Sequence, residues 1–171
     1  MTLIKTVKGR KPCFGENIYL ADNATIIGEV TMGDNCSVWF SSVIRGDVNS
    51  IKIGNNVNIQ DGAIIHCTYQ KSNTILGDNI TVGHNAIIHG CEIRDNVVVG
   101  MGAIIMDGAL IESNSIVGAG SVVLEGTHIK SGVIYAGNPA IKVKDLNQLQ
   151  ISKLIKGIAD NYVLYSSWFK D

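Results

Sequence analysis

Aliphatic residues recur along this chain every six positions. The first position of each hexad reads Leu20, Ile26, Met32, Val38, Ile44, Ile53, Ile59, Ile65, Leu76, Val82, Ile88, Ile93, Val99, Ile105, Ile111, Val117, Val123, Ile129 and Tyr135. All but the last are aliphatic or Met. The fifth position is mostly small or β-branched, as at Ala24, Val30, Cys36, Ala63, Ala86 and Ala103. An amphipathic helix would space its apolar residues by three and four. A six-residue step instead suits a short strand and a tight corner, with three steps closing one triangular coil. Stacked coils bury the repeated aliphatics and pair backbone groups from coil to coil. The pattern predicts an all-β solenoid of about six coils.

Three hexads break the step. The one at Ile44 runs on to Lys52, the one at Ile65 runs on to Ile75, and the one at Ile88 is a residue short. Long excursions from a solenoid form loops on one side, often the binding side. After Tyr135-Ala136-Gly137-Asn138-Pro139-Ala140 the period stops. Apolar residues then fall at Leu146, Leu149, Leu154, Ile155, Ile158, Tyr162 and Tyr165, which is helical spacing, with Asp145 as the expected N-cap. The predicted division is a solenoid over 1–140 and a C-terminal helix over 141–171, packed along it.

Composition agrees. Hydrophobic residues make up 46% of the 171, and 19 Gly against two Pro suits many tight turns. With 14 Lys and Arg against 15 Asp and Glu, net charge argues for neither nucleic acid nor an anionic membrane. No stretch reaches the length of a membrane span and no signal peptide is evident, so the expected compartment is the cytoplasm. Cys13, Cys36, Cys67 and Cys91 form no CxxC pair and are expected to be reduced there.

The candidate chemistry lies in three histidines. Assign the hexads to faces a, b and c, starting with Leu20 on face a. His66 and His89 are each the second residue of a face-b hexad. They are 23 residues apart, and removing the five-residue excess of the long hexad leaves one full coil. His89 should therefore stack on His66 at the spacing of adjacent strands, about 4.8 Å, where two imidazoles can share a metal. His84 is the third residue of a face-a hexad and should stack on Asp61, pointing away from a different face. One chain then cannot bring all three to one ion, but a threefold trimer can, because face a of one subunit would meet face b of the next. Three neutral imidazoles and an open position make a catalytic zinc shell, whereas a structural zinc takes four protein ligands. Cys67 and Cys91 adjoin the pair and keep a fourth ligand open. His128 occupies another hexad position and reads as structural.

Over roughly residues 13 to 140 the repeat resembles the left-handed parallel β-helix of hexapeptide-repeat proteins. The left hand comes from that resemblance and opposes the usual crossover preference. Within that group Arg45-Gly46-Asp47, Asn58-Ile59-Gln60-Asp61-Gly62 running into His66, and Gly83-His84-Asn85 running into His89 resemble the γ-class carbonic anhydrases, as does the Asn161-Tyr162 segment. The resemblance implies a metal bound by His66 and His89 of one subunit and His84 of its neighbour. It implies that Gln60 hydrogen-bonds a metal-bound hydroxide, that Asn58 helps to order it, and that Arg45, Asp47 and Asp61 form ion pairs at or near a homotrimer interface. The substrate would be carbon dioxide or bicarbonate. Zinc is the expected metal, and Fe(II) or Co(II) suit the same ligands.

The chain departs from the family where acidic proton carriers are expected. Val48 replaces a glutamate after the Arg-x-Asp segment, and the loop over residues 67–75 has no carboxylate. Slow turnover is the consequence. Two other readings compete. One is acyl transfer from a coenzyme A thioester, or a related thioesterase, in which one histidine is the base; the end segment Gly137-Asn138-Pro139-Ala140 resembles such enzymes. The other is a non-catalytic metal-binding trimer.

Overall fold

A computed structural model describes residues 1–169. Its parallel strands stack in three columns that follow the six-residue period. On face a, Leu20, Val38, Ile59, Val82, Val99, Val117 and Tyr135 pair in that order. On face b the column runs Ile4, Ile26, Ile44, Ile65, Ile88, Ile105, Val123. On face c it runs Phe14, Met32, Ile53, Leu76, Ile93, Ile111, Ile129. Each column is thus seven strands tall; face a shows all seven in the period, whereas faces b and c gain their seventh from Leu3–Lys5 and Cys13–Phe14, which the period does not reveal. From Ile26 to Ile129 every first-position residue is at most 4% exposed. These side chains fill the triangular interior and are the main favourable term in folding.

The corners explain the polar residues of the period. Asn17, Asn35, Asn56, Asn79, Asn96 and Asn114 all take positive φ, at 55–60°. Asn tolerates this left-handed conformation better than other side chains with a Cβ. Its amide also links successive coils, with Nδ2 donating to Oδ1 from Asn56 to Asn79 at 3.1 Å and from Asn79 to Asn96 at 3.2 Å.

The long hexad at Ile44 is absorbed in one continuous strand, Val43–Ile53, which turns the corner from face b to face c. The excess after Ile65 forms a loop instead, and face c resumes at Thr74–Leu76.

At the far end, Val133–Gly137 turns back into the antiparallel strand Ala140–Asp145, so residues 140–145 extend the face-a sheet. Asp145 therefore ends a strand and does not cap the helix. The cap is Asn147: its side chain accepts from the Gln150 N–H at 2.9 Å, and the Asn147 N–H donates to Gln150 Oε1 at 3.1 Å. The helix runs from Gln148 to Ser167 with a π turn at Ser152–Lys156. That wider turn rotates the apolar face. Ile155 and Ala159 are buried, whereas Leu149 and Leu154, expected on the packed side, are largely exposed. Tyr162 rests edge-on against Trp39 of face a, with ring centroids 5.4 Å apart. Lys170 and Asp171, the end of the expected helical segment, lie outside the described residues. Among the described residues no helix is long and apolar enough to cross a membrane.

Candidate metal centre

His66 and His89 pair across adjacent face-b strands, in the register Ile87↔Ile64, Ile88↔Ile65, His89↔His66. Their rings approach edge to face, and His66 Nδ1 lies 3.1 Å from His89 Nε2. The outer nitrogen of each ring meets a carboxylate. His66 Nε2 is 3.1 Å from Asp47 Oδ1, and His89 Nδ1 is 3.0 Å from Asp107 Oδ2. An ionised carboxylate can only accept, so each outer nitrogen carries the proton and each inner nitrogen a lone pair. Two lone pairs facing each other repel unless a cation lies between them. Two nitrogens on one tetrahedral zinc, at 2.0–2.1 Å each, are about 3.3 Å apart. The observed 3.1 Å separation and the carboxylate behind each ring both fit a shared metal.

Electrostatics favour the ligating forms. Burial pushes the His66 imidazolium below its ordinary value, and the Asp47 contact only partly offsets this. Burial raises the Asp47 carboxyl, but hydrogen bonds from Arg45 and His66 outweigh it and hold the group low; Arg45 sits 2.6 Å away. Asp107 is likewise raised by burial and then lowered further by Ser72, Thr68 and His89. Both aspartates are therefore anions and His66 is a neutral base at pH 7.

His84 stands on face a. Its Nδ1 lies 2.9 Å from Asp61 Oδ2, which leaves Nε2 as its unprotonated nitrogen. Beside it, Thr81, Asn58 and Gln60 form a buried polar run. Asn58 Nδ2 donates to Thr81 Oγ1 at 2.9 Å, Gln60 Nε2 donates to Asn58 Oδ1 at 3.0 Å, and the His84 N–H donates to Gln60 Oε1 at 3.2 Å. Gln60 and Asn58 are 5% and 2% exposed, so this network fixes the amide. Gln60 and His84 open onto a cleft of about 310 Å³ between face a and the C-terminal helix, walled by Val98, Met101, Ile158 and Tyr162. Among the described residues, no three His, Cys, Asp or Glu side chains converge in one chain as a metal site would require.

A carbonic anhydrase of Geobacillus kaustophilus is 40% identical to this chain over 170 residues, 98% of this chain and 91% of that protein. The chain belongs to the γ-carbonic-anhydrase-like family of hexapeptide-repeat proteins. Mitochondrial gamma carbonic anhydrase 2 of Arabidopsis thaliana is 39% identical over 94% of this chain, and the chain spans 59% of that protein's length. The crystal structure of a Bacillus cereus protein, described provisionally as an acetyltransferase, matches with a TM-score of 0.95 at 37% identity, covering 99% of this chain and 97% of that one. Residues 90–125 match the bacterial transferase hexapeptide family, a model of six repeats.

Against this γ-carbonic-anhydrase-like background, the residues that the sequence left unassigned stand out. Asp107, Ser72, Thr74 and Asn49 all support the histidine pair. Asp107 lies 18 residues after His89, one past the 17-residue step that this coil takes, so strict stacking points to Met106 and misses it. Val48 is half-buried and packs on the core. In the loop, Tyr69 is 58% exposed, and Lys71 pairs with Glu125 at 2.7 Å. Burial raises the Cys67 thiol and pushes Cys91 up to about 12, so neither is a thiolate at neutral pH. His128 is exposed and bonded to Glu112 at 2.6 Å.

Proposed function

We propose that the protein is a metal-dependent carbonic anhydrase that hydrates carbon dioxide reversibly as a homotrimer, with zinc held by His66 and His89 of one subunit and His84 of the next. Fe(II) and Co(II) are the alternative metals. The observation that carries this reading is the His66–His89 pair: inner nitrogens 3.1 Å apart, outer nitrogens tied to Asp47 and Asp107. The separate placement of His84, with Asp61 behind it, supports a site completed by a second copy. The names of the Geobacillus and Arabidopsis relatives support the reaction.

When bound, the metal would acidify a water and so supply a nucleophile at neutral pH. The chain's own residues do the rest. Asp47, Asp61 and Asp107 hold the three imidazoles to one tautomer each, so that unprotonated nitrogens face the metal position. Gln60 spends one amide hydrogen on Asn58 and keeps a second for an oxygen on the substrate side. The apolar wall of Val98, Met101, Ile158 and Tyr162 suits a small uncharged substrate and keeps bulk water off the reacting carbon. Export of the proton lacks a matched carrier: Val48 has none, and Lys71 is engaged with Glu125.

The test is stopped-flow carbon dioxide hydration by zinc- or iron-loaded protein. Turnover should be low in weak buffer and rise several-fold with an imidazole-type buffer at fixed pH and ionic strength. Val48→Glu should raise turnover in weak buffer by about tenfold, below the roughly hundredfold or more of a fully positioned acid or base. No hydration under any buffer, with metal fully bound, would refute the reading. Coenzyme A-dependent acyl transfer is the second reading, raised by the provisional description of the Bacillus cereus structure. Cleavage of acetyl-coenzyme A, lost in His89→Ala, would establish it instead.

A further inference from the structure

The loop over residues 67–73 looks at first like a surface excursion, but both of its ends are built into the histidine site. From the coil below, Asn49 Nδ2 donates to Thr68 O at 2.9 Å and to Ser72 O at 2.8 Å, drawing the loop into a closed turn. From the coil above, Asp107 meets the loop through Ser72, whose Oγ donates to Asp107 Oδ1 at 2.5 Å. The same Ser72 Oγ accepts the Thr68 N–H at 3.2 Å, so its own proton is left for Asp107. The carboxylate's other oxygen, Oδ2, faces His89 Nδ1. Thr74 closes the loop between the two histidines. Its hydroxyl donates to the His66 carbonyl at 2.6 Å and accepts the Gly90 N–H at 2.9 Å.

Gly90 marks how closely this is fitted. It follows His89 directly and has φ of +59°; a Cβ there would stand 2.1 Å from Asp107 Oδ1 and 2.2 Å from Ser72 Oγ. The residue next to His89 is thus bare where Ser72 reaches Asp107. The two imidazoles are supported differently. Behind His66, Asp47 is anchored by the Arg45 guanidinium on its own strand. Behind His89, Asp107 has neutral anchors, Ser72 first and Thr68 second, supplied by a loop from the coil below.

We infer that Ser72 is a positioning residue of the histidine site, holding the Asp107 carboxylate so that His89 keeps its proton on Nδ1 and turns Nε2 towards His66. The loop is then part of the site's framework, and its length is set by the need to carry Ser72 and Thr74 between two coils. The consequence for metal affinity rests on the metal-centre reading above; the tautomer does not.

The tautomer is read directly by long-range proton–nitrogen NMR of histidine-labelled, metal-free protein at pH 8. Wild type should show His89 protonated at Nδ1. Ser72→Ala should give a mixture of tautomers and weaken zinc binding by about tenfold or more, the usual cost of losing support behind a ligating histidine. Ser72→Thr, which retains the hydroxyl, should restore both. Lys71→Ala, which cuts the loop's exposed tether to Glu125, should change neither. An unaltered His89 signal with wild-type zinc affinity in Ser72→Ala would overturn the proposal. So would equal effects from Ser72→Ala and Lys71→Ala, since Ser72 would then only tether the loop. A tautomer shift in Ser72→Ala, with a wild type that binds none of Zn(II), Fe(II) and Co(II), would uphold the positioning role and refute the metal reading.

Discussion

His89 and His128 both stand on strands of the solenoid and both touch a carboxylate, His89 meeting Asp107 at 3.0 Å and His128 meeting Glu112 at 2.6 Å. The shorter contact belongs to the histidine that looks structural. What separates the two is the neighbour one coil below. His89 pairs in register with His66, whereas His128 pairs with Leu110. A carboxylate fixes one imidazole nitrogen in either case, but only at His89 does the other nitrogen face a second imidazole. The repeat thus makes a site by register: two residues at the same hexad position, one coil apart, come within metal-sharing distance without any further design.

The strongest challenge to this contrast is subunit mixing. His84→Ala and His89→Ala should each lose nearly all bound zinc, while His128→Ala should keep it. If the site joins His84 of one subunit to His66 and His89 of the next, trimers refolded from equal amounts of His84→Ala and His89→Ala chains should regain about one quarter of the zinc sites by random assembly in a closed ring. Recovery is measured by metal content after gel filtration. No recovery, or full zinc on a monomer, would break the intersubunit model.

Register can also be transplanted. Leu110→His would set an imidazole beside His128 in the pairing that joins His66 to His89. In a His89→Ala background, this variant should bind Ni(II) or Zn(II) where the background alone does not, as followed by calorimetry. Failure to bind would mean that shared register is insufficient and that the clasp of Asn49, Ser72 and Asp107 around His89 is the decisive part.

That distinction tracks what was legible in the sequence. The aliphatic column from Ile26 to Ile129 was plain because one residue type recurs at one position, and burial demands nothing more specific. The stacking of His89 on His66 followed once the five extra residues were subtracted. Ser72 and Thr74 were hidden, because they act from an irregular loop whose path no period describes. Asp107 was hidden for a related reason. The hexad at Ile88 is a residue short, which moves the carboxylate from hexad position three into reach of a position-two histidine. The helix start was misplaced at Asp145 because a strand returns there, and a cap residue signals a helix only where the sheet does not claim it.

A smaller effect is expected from pH. Metal binding needs neutral imidazoles, and protonation competes with it. Burial holds His66 below the ordinary histidine value of about 6.5. Protonation of His66 therefore competes with zinc only below that value. Affinity should show no loss attributable to His66 between pH 8 and about 6.5, and should fall below it. Competition titrations with a chromophoric chelator across this range provide the measurement. A decline that starts above pH 7 and coincides with protonation of the His66 ring, followed by NMR of histidine-labelled protein, would contradict the burial argument.

The smallest effect belongs to the other histidine. Glu112 accepts from His128, from the Ser131 N–H at 3.0 Å and from Lys130 Nζ at 3.4 Å, and these contacts, the imidazole first, hold its carboxyl below the ordinary range. A carboxyl depressed in the folded state adds stability above its unfolded pKa, about 4.3, and loses that contribution as pH falls through the folded value. The contacts are solvent-exposed, so they are screened and weak. Glu112→Gln should therefore lower Tm at pH 7 by no more than about 2 °C, and the difference from wild type should close as pH falls through the depressed folded value, below which the carboxyl is protonated in both states. Zinc content of the variant should match that of wild type at every pH. A loss of zinc in Glu112→Gln would join the two histidine regions in one network and remove the contrast between them. A stability difference that persists once the carboxyl is protonated in both states would assign the role of Glu112 to its uncharged contacts, chiefly the Ser131 N–H, and would make His128 a bystander at its own carboxylate.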